Sequence, residues 1–236
     1  MRTLFNAEMS ELADDLIAMA RHVETAITHA SDALLTGNVE LAQTVIAEDA
    51  ALDELEGLVD ERCVLLIAQQ QPVGLDLRTI ISSLRISASL ERMGDLAQHI
   101  AESARRAYPA SAVPESHREI LEGMCAAAKE AASETVRLLE TRDLNVAAAI
   151  VSDDDNLDAL HSRAYKAIID GSYTGSPQET LDLALLARYF ERFGDHAVGV
   201  SRRIVYLVTG DHSGDRSKPD SCHFLLIGGL REHSPW

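Results

Sequence analysis

The feature that most constrains how this chain folds is an internal repeat within helical sequence. Glu-Arg-X-Gly-Asp occurs at residues 91–95 and again at residues 191–195. Around each copy, apolar residues recur every three or four positions, which is typical of an amphipathic α-helix. A glycine inside a helix costs roughly 1 kcal/mol relative to alanine. Because the motif contains this unfavourable glycine in both copies, the sequence predicts a duplicated helical unit.

Turn and helix-breaking signals divide each half of the chain into three predicted helices. The first half gives helices over about residues 4–36, from 39 to the QQQP stretch, and over 77–106. The second half gives helices that begin near residues 116, 143 and 176, the last ending near 209. Ser116 with Glu119 and Ser176 with Glu179 are predicted capping boxes. The second helices of the two halves also match, at a shift of 105 residues.

These segments predict an all-α fold of two tandem three-helix bundles with long antiparallel helices, over residues 1–107 and 115–209. The composition agrees, because 46% of the residues are hydrophobic but only 4% are aromatic. The abundant alanine and leucine favour packed helices. Residues 210–236 contain many turn formers and no helical period, so we expect a disordered tail there.

Charge and cysteine content limit the possible functions. Acidic residues outnumber basic residues by 38 to 21, and the net charge of −17 disfavours nucleic-acid binding. The N-terminus has no apolar segment typical of a secretory signal, and no apolar run predicts a membrane span. Cys63, Cys125 and Cys222 are far apart, which favours free thiols over a disulfide or a zinc site. We therefore expect a cytoplasmic protein.

Both copies of the motif place an acid pair beside the predicted core. The acids of each motif are four residues apart, so each pair shares one face of its helix. Each pair lies one position, about 100°, from the apolar seam of its helix. The preceding helix of each half carries acids at the same offset. The acids concerned are Asp49, Asp53, Glu56, Asp60, Glu91 and Asp95 in the first half, and Asp154, Asp158, Glu191 and Asp195 in the second.

These carboxylates have two possible roles, and both remain open on spacing alone. Acids beside an apolar seam are usually a solvated surface, with Arg92 and Arg192 as partial counter-charges. However, carboxylates that converge from two packed helices repel one another unless cations neutralise them. Their recurrence in both halves favours metal binding more than a single pair does. Oxygen ligands of this kind suit Mg²⁺, Mn²⁺, Ca²⁺ or iron.

Other features of the sequence indicate structural roles. Gly94 and Gly194 are expected to let helices approach closely rather than to bind phosphate, because no strand or glycine-rich loop precedes them. His22 on the first helix is expected to be a surface or boundary residue. The Arg202–Arg203 pair lies toward a helix C-terminus, where the helix dipole favours it. The sequence shows no phosphate pocket and no nucleophile–base arrangement.

The duplicated pattern resembles the PhoU family of phosphate-signalling regulators, most specifically in the segments ERMGDLAQHIAE and ARYFERFGDHA. The resemblance covers roughly residues 1–209. It implies a cytoplasmic, often dimeric, non-enzymatic protein that restrains the phosphate-starvation response. Its implied partners are the ATPase subunit of a Pst-type ABC phosphate transporter and a PhoR-type sensor histidine kinase.

The resemblance also implies metal sites, because some members hold multinuclear clusters of iron or other metals on the surface of each bundle. It nominates Asp49, Asp53, Glu91 and Asp95 for one site, and Asp154, Asp158, Glu191 and Asp195 for the other. Many members have asparagine four residues after the last motif aspartate, whereas this chain has His99 and Gly199. Since Gly199 has no side-chain donor, we expect the two sites to be unequal.

Two other functions stay open on the sequence. A ferritin-like di-iron carboxylate enzyme needs its ligands inside a four-helix core. Asp158 and His161 match part of such a ligand set, although Glu56 occupies the corresponding position in the first half. A metal-free helical interaction protein needs no such site.

Overall fold

The computed structural model of the chain describes residues 2–173 and 175–211. The expected disordered tail therefore lies outside the described residues, apart from Gly210 and Asp211, and so does Cys222. No helix within the described ranges is long and apolar enough to cross a membrane.

Six α-helices and one short 3₁₀ turn make up the described part of the chain. The helices are α1 (Arg2–Thr36), α2 (Val39–Gln70), α3 (Leu75–Ala107), α4 (Arg118–Thr141), α5 (Leu144–Ile169) and α6 (Pro177–Thr209), and the 3₁₀ turn spans Glu115–His117. The all-α prediction is confirmed, because these residues form no strand.

The helices pack as two groups of three. Helices α1, α2 and α3 contact one another, as do α4, α5 and α6, and the groups meet through α3 with α6 and α1 with α4. Along the α3–α6 seam, Arg78 donates to the carbonyl of Leu207 at one end, and Arg106 pairs with Asp182 at the other. Residue numbers rise on one helix as they fall on its neighbour, so α3 and α6 are antiparallel.

The apolar seams predicted for α3 and α6 lie in the core. Phe190 and Phe193 are fully buried on α6, and the whole predicted seam of both helices is buried with them. Gly94 and Gly194 set how closely the neighbouring helices approach. A methyl group on Gly94 would overlap the Leu52 side chain, and one on Gly194 would lie 2.8 Å from Leu157. The predicted role of both glycines is confirmed, and this close approach brings the acid stripes of adjacent helices together.

The two predicted capping boxes have different outcomes. At the start of α6, the Glu179 N–H donates to Ser176 Oγ at 3.2 Å and the Ser176 N–H donates to the Glu179 carboxylate at 2.7 Å, as predicted. The prediction at Ser116 is wrong, because the chain forms the 3₁₀ turn there and α4 begins after His117. Inside that turn the Ser116 hydroxyl lies 2.9 Å from His117 Nδ1 instead of facing the helix N–H groups.

Candidate metal centre

The first acidic cluster lies where α2 packs against α3. We use this name for Asp49, Asp53, Glu56, Glu91 and Asp95. The pKa of Asp49 is raised by burial and by the charges of Asp53 and Asp95. The pKa of Glu91 is raised by burial and by Asp95, with smaller contributions from Glu56 and Asp53. The structure therefore brings together all four carboxylates nominated for the first site.

Glu91 is the member whose ionisation is least favourable. Its side chain is only 15% exposed, and burial followed by repulsion from Asp95 raises its pKa from 4.5 to about 7. Arg92 opposes this effect, with Nε 3.3 Å from Glu91 and Nη1 2.6 Å from Asp95. The Arg92 side chain is 62% exposed, so solvent screens its charge. The first acidic cluster is therefore short of positive charge.

Two histidines lie close enough to act on the first acidic cluster. His22 on α1 and His99 on α3 both lower the pKa of Asp49, against the stronger effects that raise it. His99 occupies a position at which the sequence departs from the pattern of the family it resembles. His22 is half-buried, which agrees with the expectation of a surface or boundary residue. Its proximity to Asp49 is not visible in the sequence, which does not show which face of α1 meets α2. Imidazole nitrogens beside carboxylate oxygens widen the choice of metal toward iron and other transition metals.

The second acidic cluster lies where α5 packs against α6. We use this name for Asp158, His161, Glu191 and Asp195. The pKa of Glu191 is raised by burial and by Asp195 and Asp158, although Arg188 lowers it. Burial and Arg188 lower the pKa of His161, while Asp158 and Asp195 raise it. Three of the four carboxylates nominated for the second site, Asp158, Glu191 and Asp195, therefore lie close enough to influence one another.

Arg188 gives the second acidic cluster a counter-charge that the first lacks. Its Nη1 lies 2.6 Å from Glu191 Oε1, and its side chain is only 29% exposed. The corresponding residue one hundred positions earlier is Ala88. The protein therefore partly neutralises the second cluster from within. The expected inequality of the two sites has a second cause here, besides Gly199.

Asp154, the fourth residue nominated for the second site, lies deeper than the others. It is 5% exposed, because α5 approaches α6 so closely that a methyl on Gly194 would overlap the Asp154 carboxylate. The expectation that the acids flank the core is wrong for this residue. Asp154 lines a groove of about 200 Å³ together with Glu130, Glu134 and Asp153.

Glu130 and Glu134 are acidic residues that the sequence reasoning missed. They lie four apart on α4, so the same spacing that identified the other pairs marks them too. Their relation to Asp154 depends on the packing of α4 against α5 and α6, which no local pattern shows. At the positions 105 residues earlier, α1 carries Thr25 and His29, so this acidic groove belongs to one half only.

The donor chemistry of the first acidic cluster fits a metal ion. Carboxylate oxygens with nearby imidazoles are ligands for hard and borderline divalent cations. The pKa of Glu91 is raised first by burial and then by repulsion from Asp95, and a bound cation would counter both effects. Within the described ranges, no three His, Cys, Asp or Glu side chains are already positioned to hold a metal ion. Any binding therefore requires these side chains to reorient.

The cores of the bundles carry little acidic chemistry. Asp154 and Asp182 are the acidic residues buried in the described part of the chain, and Asp182 is paired with Arg106 at 2.6 Å. Apart from Asp154, the nominated carboxylates lie at helix junctions beside the apolar seams. This arrangement differs from the inward-facing ligand set that a ferritin-like di-iron centre uses.

Sequence comparison connects both halves of the chain to one family. A model of the PhoU domain matches twice, over residues 16–104 and 121–204. The chain is 34% identical over 221 residues to the phosphate-specific transport system accessory protein PhoU homolog 1 of Mycobacterium leprae, an alignment that covers 94% of this chain and 100% of that relative. It is 35% identical over 210 residues to PhoU homolog 2 of Mycobacterium tuberculosis, covering 89% and 99%.

Solved structures show the same fold. PhoU from Pseudomonas aeruginosa superposes with a TM-score of 0.82 at 28% identity, covering 88% of this chain and 100% of that one. The phosphate transport system regulatory protein PhoU from Streptococcus pneumoniae gives a TM-score of 0.78 at 25% identity, covering 88% and 98%.

Proposed function

This chain belongs to the PhoU family, and we propose that it is a negative regulator of phosphate uptake and of the phosphate-starvation response. The observation that carries the proposal is the match of the PhoU domain to both halves, with relatives aligned over nearly their whole length. Those relatives are named as accessory proteins of a phosphate transport system, and the chain is accordingly an accessory or regulatory protein rather than an enzyme.

The proposed mechanism is that of an adaptor. The chain contacts the ATPase subunit of a Pst-type transporter and a PhoR-type sensor histidine kinase at the cytoplasmic face of the membrane, as a homodimer. An adaptor represses a kinase only if it binds one conformational state of that kinase more tightly than the other. A preference of about tenfold, equivalent to roughly 1.4 kcal/mol, shifts the ratio of the two states by the same factor. In phosphate-rich conditions, the transporter then favours the complex in which the adaptor holds the kinase in its repressed state.

Metal binding at the acidic clusters is part of this proposal. Asp49, Asp53, Glu91 and Asp95 would hold iron or another divalent cation such as Mn²⁺, Mg²⁺ or Ca²⁺ in the first cluster. Asp154, Asp158, Glu191 and Asp195 would do so in the second, against the opposing charge of Arg188. The bound cation would supply positive charge that the first cluster lacks. Its role is electrostatic and structural, since it would hold α2 and α3 at a fixed separation.

A reporter of the phosphate-starvation response tests the regulatory proposal. The gene is deleted in its own host, and the reporter is measured in phosphate-rich medium. We expect high output in the deletion strain and low output in the parent strain, because repression is lost. Equal output in both strains, with any second gene copy also deleted, would contradict the proposal.

Metal analysis of the purified chain tests the metal proposal separately. The wild type and a Glu91→Ala/Asp95→Ala variant are loaded with Mn²⁺ or Fe²⁺, desalted and analysed for bound metal. We expect metal in the wild type and a loss of about half or more in the variant. A Glu48→Ala/Glu54→Ala variant, which removes two exposed acids from the neighbouring helix α2, serves as the charge-matched control. Negligible metal in the wild type would remove the metal proposal and leave the regulatory one intact.

A further inference from the structure

The seam between the two bundles contains a groove whose charged side chains are all basic. The groove has a volume of about 370 Å³, lies between α3 and α6, and is lined by Arg85, Arg202 and Arg203 with Ala88, Ser89 and Gly199. We call it the arginine groove. Three arginines around one opening are unexpected in a chain whose net charge is −17.

The arginines of the groove form no ion pair with any residue that the structure describes. Within the part of the chain that the structure describes, ion pairs form at Arg21, Arg62, Arg92, Arg106, Arg118, Lys129, Arg137, Arg163 and Arg188. None of them involves the three arginines of the groove. Arg202 and Arg203 are half-buried, so solvent screens their charges less than it screens the charge of Arg85, which is exposed. Guanidinium groups around a common opening repel one another, and an anion between them removes that repulsion.

The opening exists because two small residues meet where α3 crosses α6. Even a methyl group on Gly199 would lie 3.8 Å from Ser89 Oγ, so the crossing has room to spare. The repeat provides an internal comparison, because residues one hundred positions away occupy the matching places. There Tyr189 and His99 meet with their ring centroids 5.2 Å apart. Two rings thus fill one crossing, while a hydroxymethyl group and a hydrogen leave the other open.

The three arginines of the groove have no basic counterparts at the matching repeat positions. The repeat positions that match Arg85 and Arg202 hold Leu185 and Glu102. Neither the space nor the charge of the groove is therefore a consequence of the duplicated fold. The helix dipole does not explain the groove, because the last turn of α6 contains no basic residue and Arg85 lies in the first half of α3.

We propose that the arginine groove binds a phosphate group, either free inorganic phosphate or the phosphate of a larger anion. The planar, forked donors of arginine match tetrahedral phosphate oxygens, and several arginines converging on one opening are typical of such recognition. A volume of about 370 Å³ exceeds what one phosphate needs and also accommodates a short polyphosphate or a nucleotide. The inference is independent of the metal proposal, because the acidic clusters repel anions.

Calorimetric titration tests the proposal on the full chain in the presence of a chelator, so that bound metal contributes no phosphate affinity. The probes are inorganic phosphate, tripolyphosphate and ATP, with sulfate as the competitor. We expect saturable binding of one anion per chain, weakened about tenfold or more in Arg85→Ala and in Arg202→Ala. Arg21→Ala removes the same charge from an exposed position on α1 and is expected to change the affinity less than about twofold.

Gly199→His separates a shaped pocket from a charged surface. It places at this crossing the residue that the repeat uses at the matching position, and it leaves all three arginines in place. We expect it to weaken phosphate binding as strongly as loss of an arginine does, with the unfolding midpoint of the chain little changed. Saturable binding of inorganic phosphate would identify the free ion as the ligand of the groove. Binding of tripolyphosphate or ATP alone would identify the phosphate of a larger anion as the ligand.

Three results would overturn the proposal. One is the absence of saturable binding of all three probes to the wild type. Another is equal weakening in Arg85→Ala and Arg21→Ala, which would reduce the effect to net charge. The third is competition by sulfate at the same concentration as phosphate, which would reduce the site to a general anion site.

Discussion

Replacing Glu91 by glutamine isolates the electrostatic cost of the first acidic cluster in metal-free protein. Burial and Asp95 raise the pKa of Glu91 in the folded chain from 4.5 to about 7. Below about pH 4.5 the carboxyl is protonated in both the folded and unfolded chain and contributes nothing. As the pH rises toward 7 the unfolded chain loses its proton first, so the stability of the wild type falls. Above about pH 7 the full penalty is present.

The size of this penalty follows from the two pKa values. The difference between 4.5 and about 7 corresponds to at most about 3 kcal/mol at pH 8 and about 1 kcal/mol at pH 5. Glutamine keeps the shape of the side chain and cannot ionise. Glu91→Gln is therefore expected to be more stable than the wild type by about 2–3 kcal/mol at pH 8 and by at most about 1 kcal/mol at pH 5. A saturating divalent cation should remove the advantage.

Urea unfolding followed by circular dichroism, with a chelator present, measures these differences. Glu191→Gln is the matched control, because it removes the equivalent carboxylate from the other half. That variant loses the partner of Arg188, 2.6 Å away in the wild type. Because Arg188 opposes the effect of burial on the pKa of Glu191, which is still raised, Glu191→Gln is expected to gain less stability at pH 8 than Glu91→Gln does. A Glu91→Gln chain no more stable than the wild type at pH 8, or a gain that does not change with pH, would refute the reasoning.

Three further perturbations follow from particular contacts. Gly94→Ala places a methyl group against Leu52 and is expected to destabilise the chain by about 1–3 kcal/mol in urea unfolding, whereas Gly57→Ala, with open space around it on α2, should gain up to about 1 kcal/mol. Equal effects of the two would show that helix propensity, not packing, decides. Arg188→Ala removes the cation beside Glu191 and is expected to raise the Mn²⁺ affinity of the second acidic cluster several-fold. A titration in which electron paramagnetic resonance detects free Mn²⁺ measures this affinity. Unchanged affinity would mean that this cluster does not bind the ion. Ser176→Ala is expected to cost about 1 kcal/mol by loss of the α6 capping box, and Ser116→Ala less than about 0.5 kcal/mol, since Ser116 caps no helix; the reverse order would contradict the observed start of α4.

The helices and their buried faces could be predicted because they depend on local sequence. The seam through Phe190 and Phe193 repeats every three or four residues, and only a helix puts such residues on one face. The packing role of Gly94 and Gly194 could be predicted because glycine destabilises a helix interior, so its presence there indicates close contact with a neighbouring helix. The failure at Ser116 is also local in origin, since a capping-box pattern does not reveal that a 3₁₀ turn takes up its first residue.

The features that the sequence did not show depend on which helices become neighbours. The arginine groove joins Arg85 to Arg202, which are more than one hundred residues apart in the chain. The charge of Glu191 is partly neutralised by Arg188, and both side chains are largely buried. The sequence shows that Ala88 replaces this arginine in the first half, but it does not show how deeply the pair is buried. Asp154 is buried by the approach of α5 to Gly194, which the alternation of acids along α5 does not reveal.

Complementation of the deletion strain tests the central claim most directly, because it asks whether this chain represses and whether the first acidic cluster matters. The phosphate-responsive reporter is measured in phosphate-rich medium after expression of the wild type or of Glu91→Ala/Asp95→Ala at equal protein levels. We expect the wild type to restore low output and the double variant to leave it high. High output with the wild-type chain would contradict the assignment of this protein as a repressor of the phosphate-starvation response.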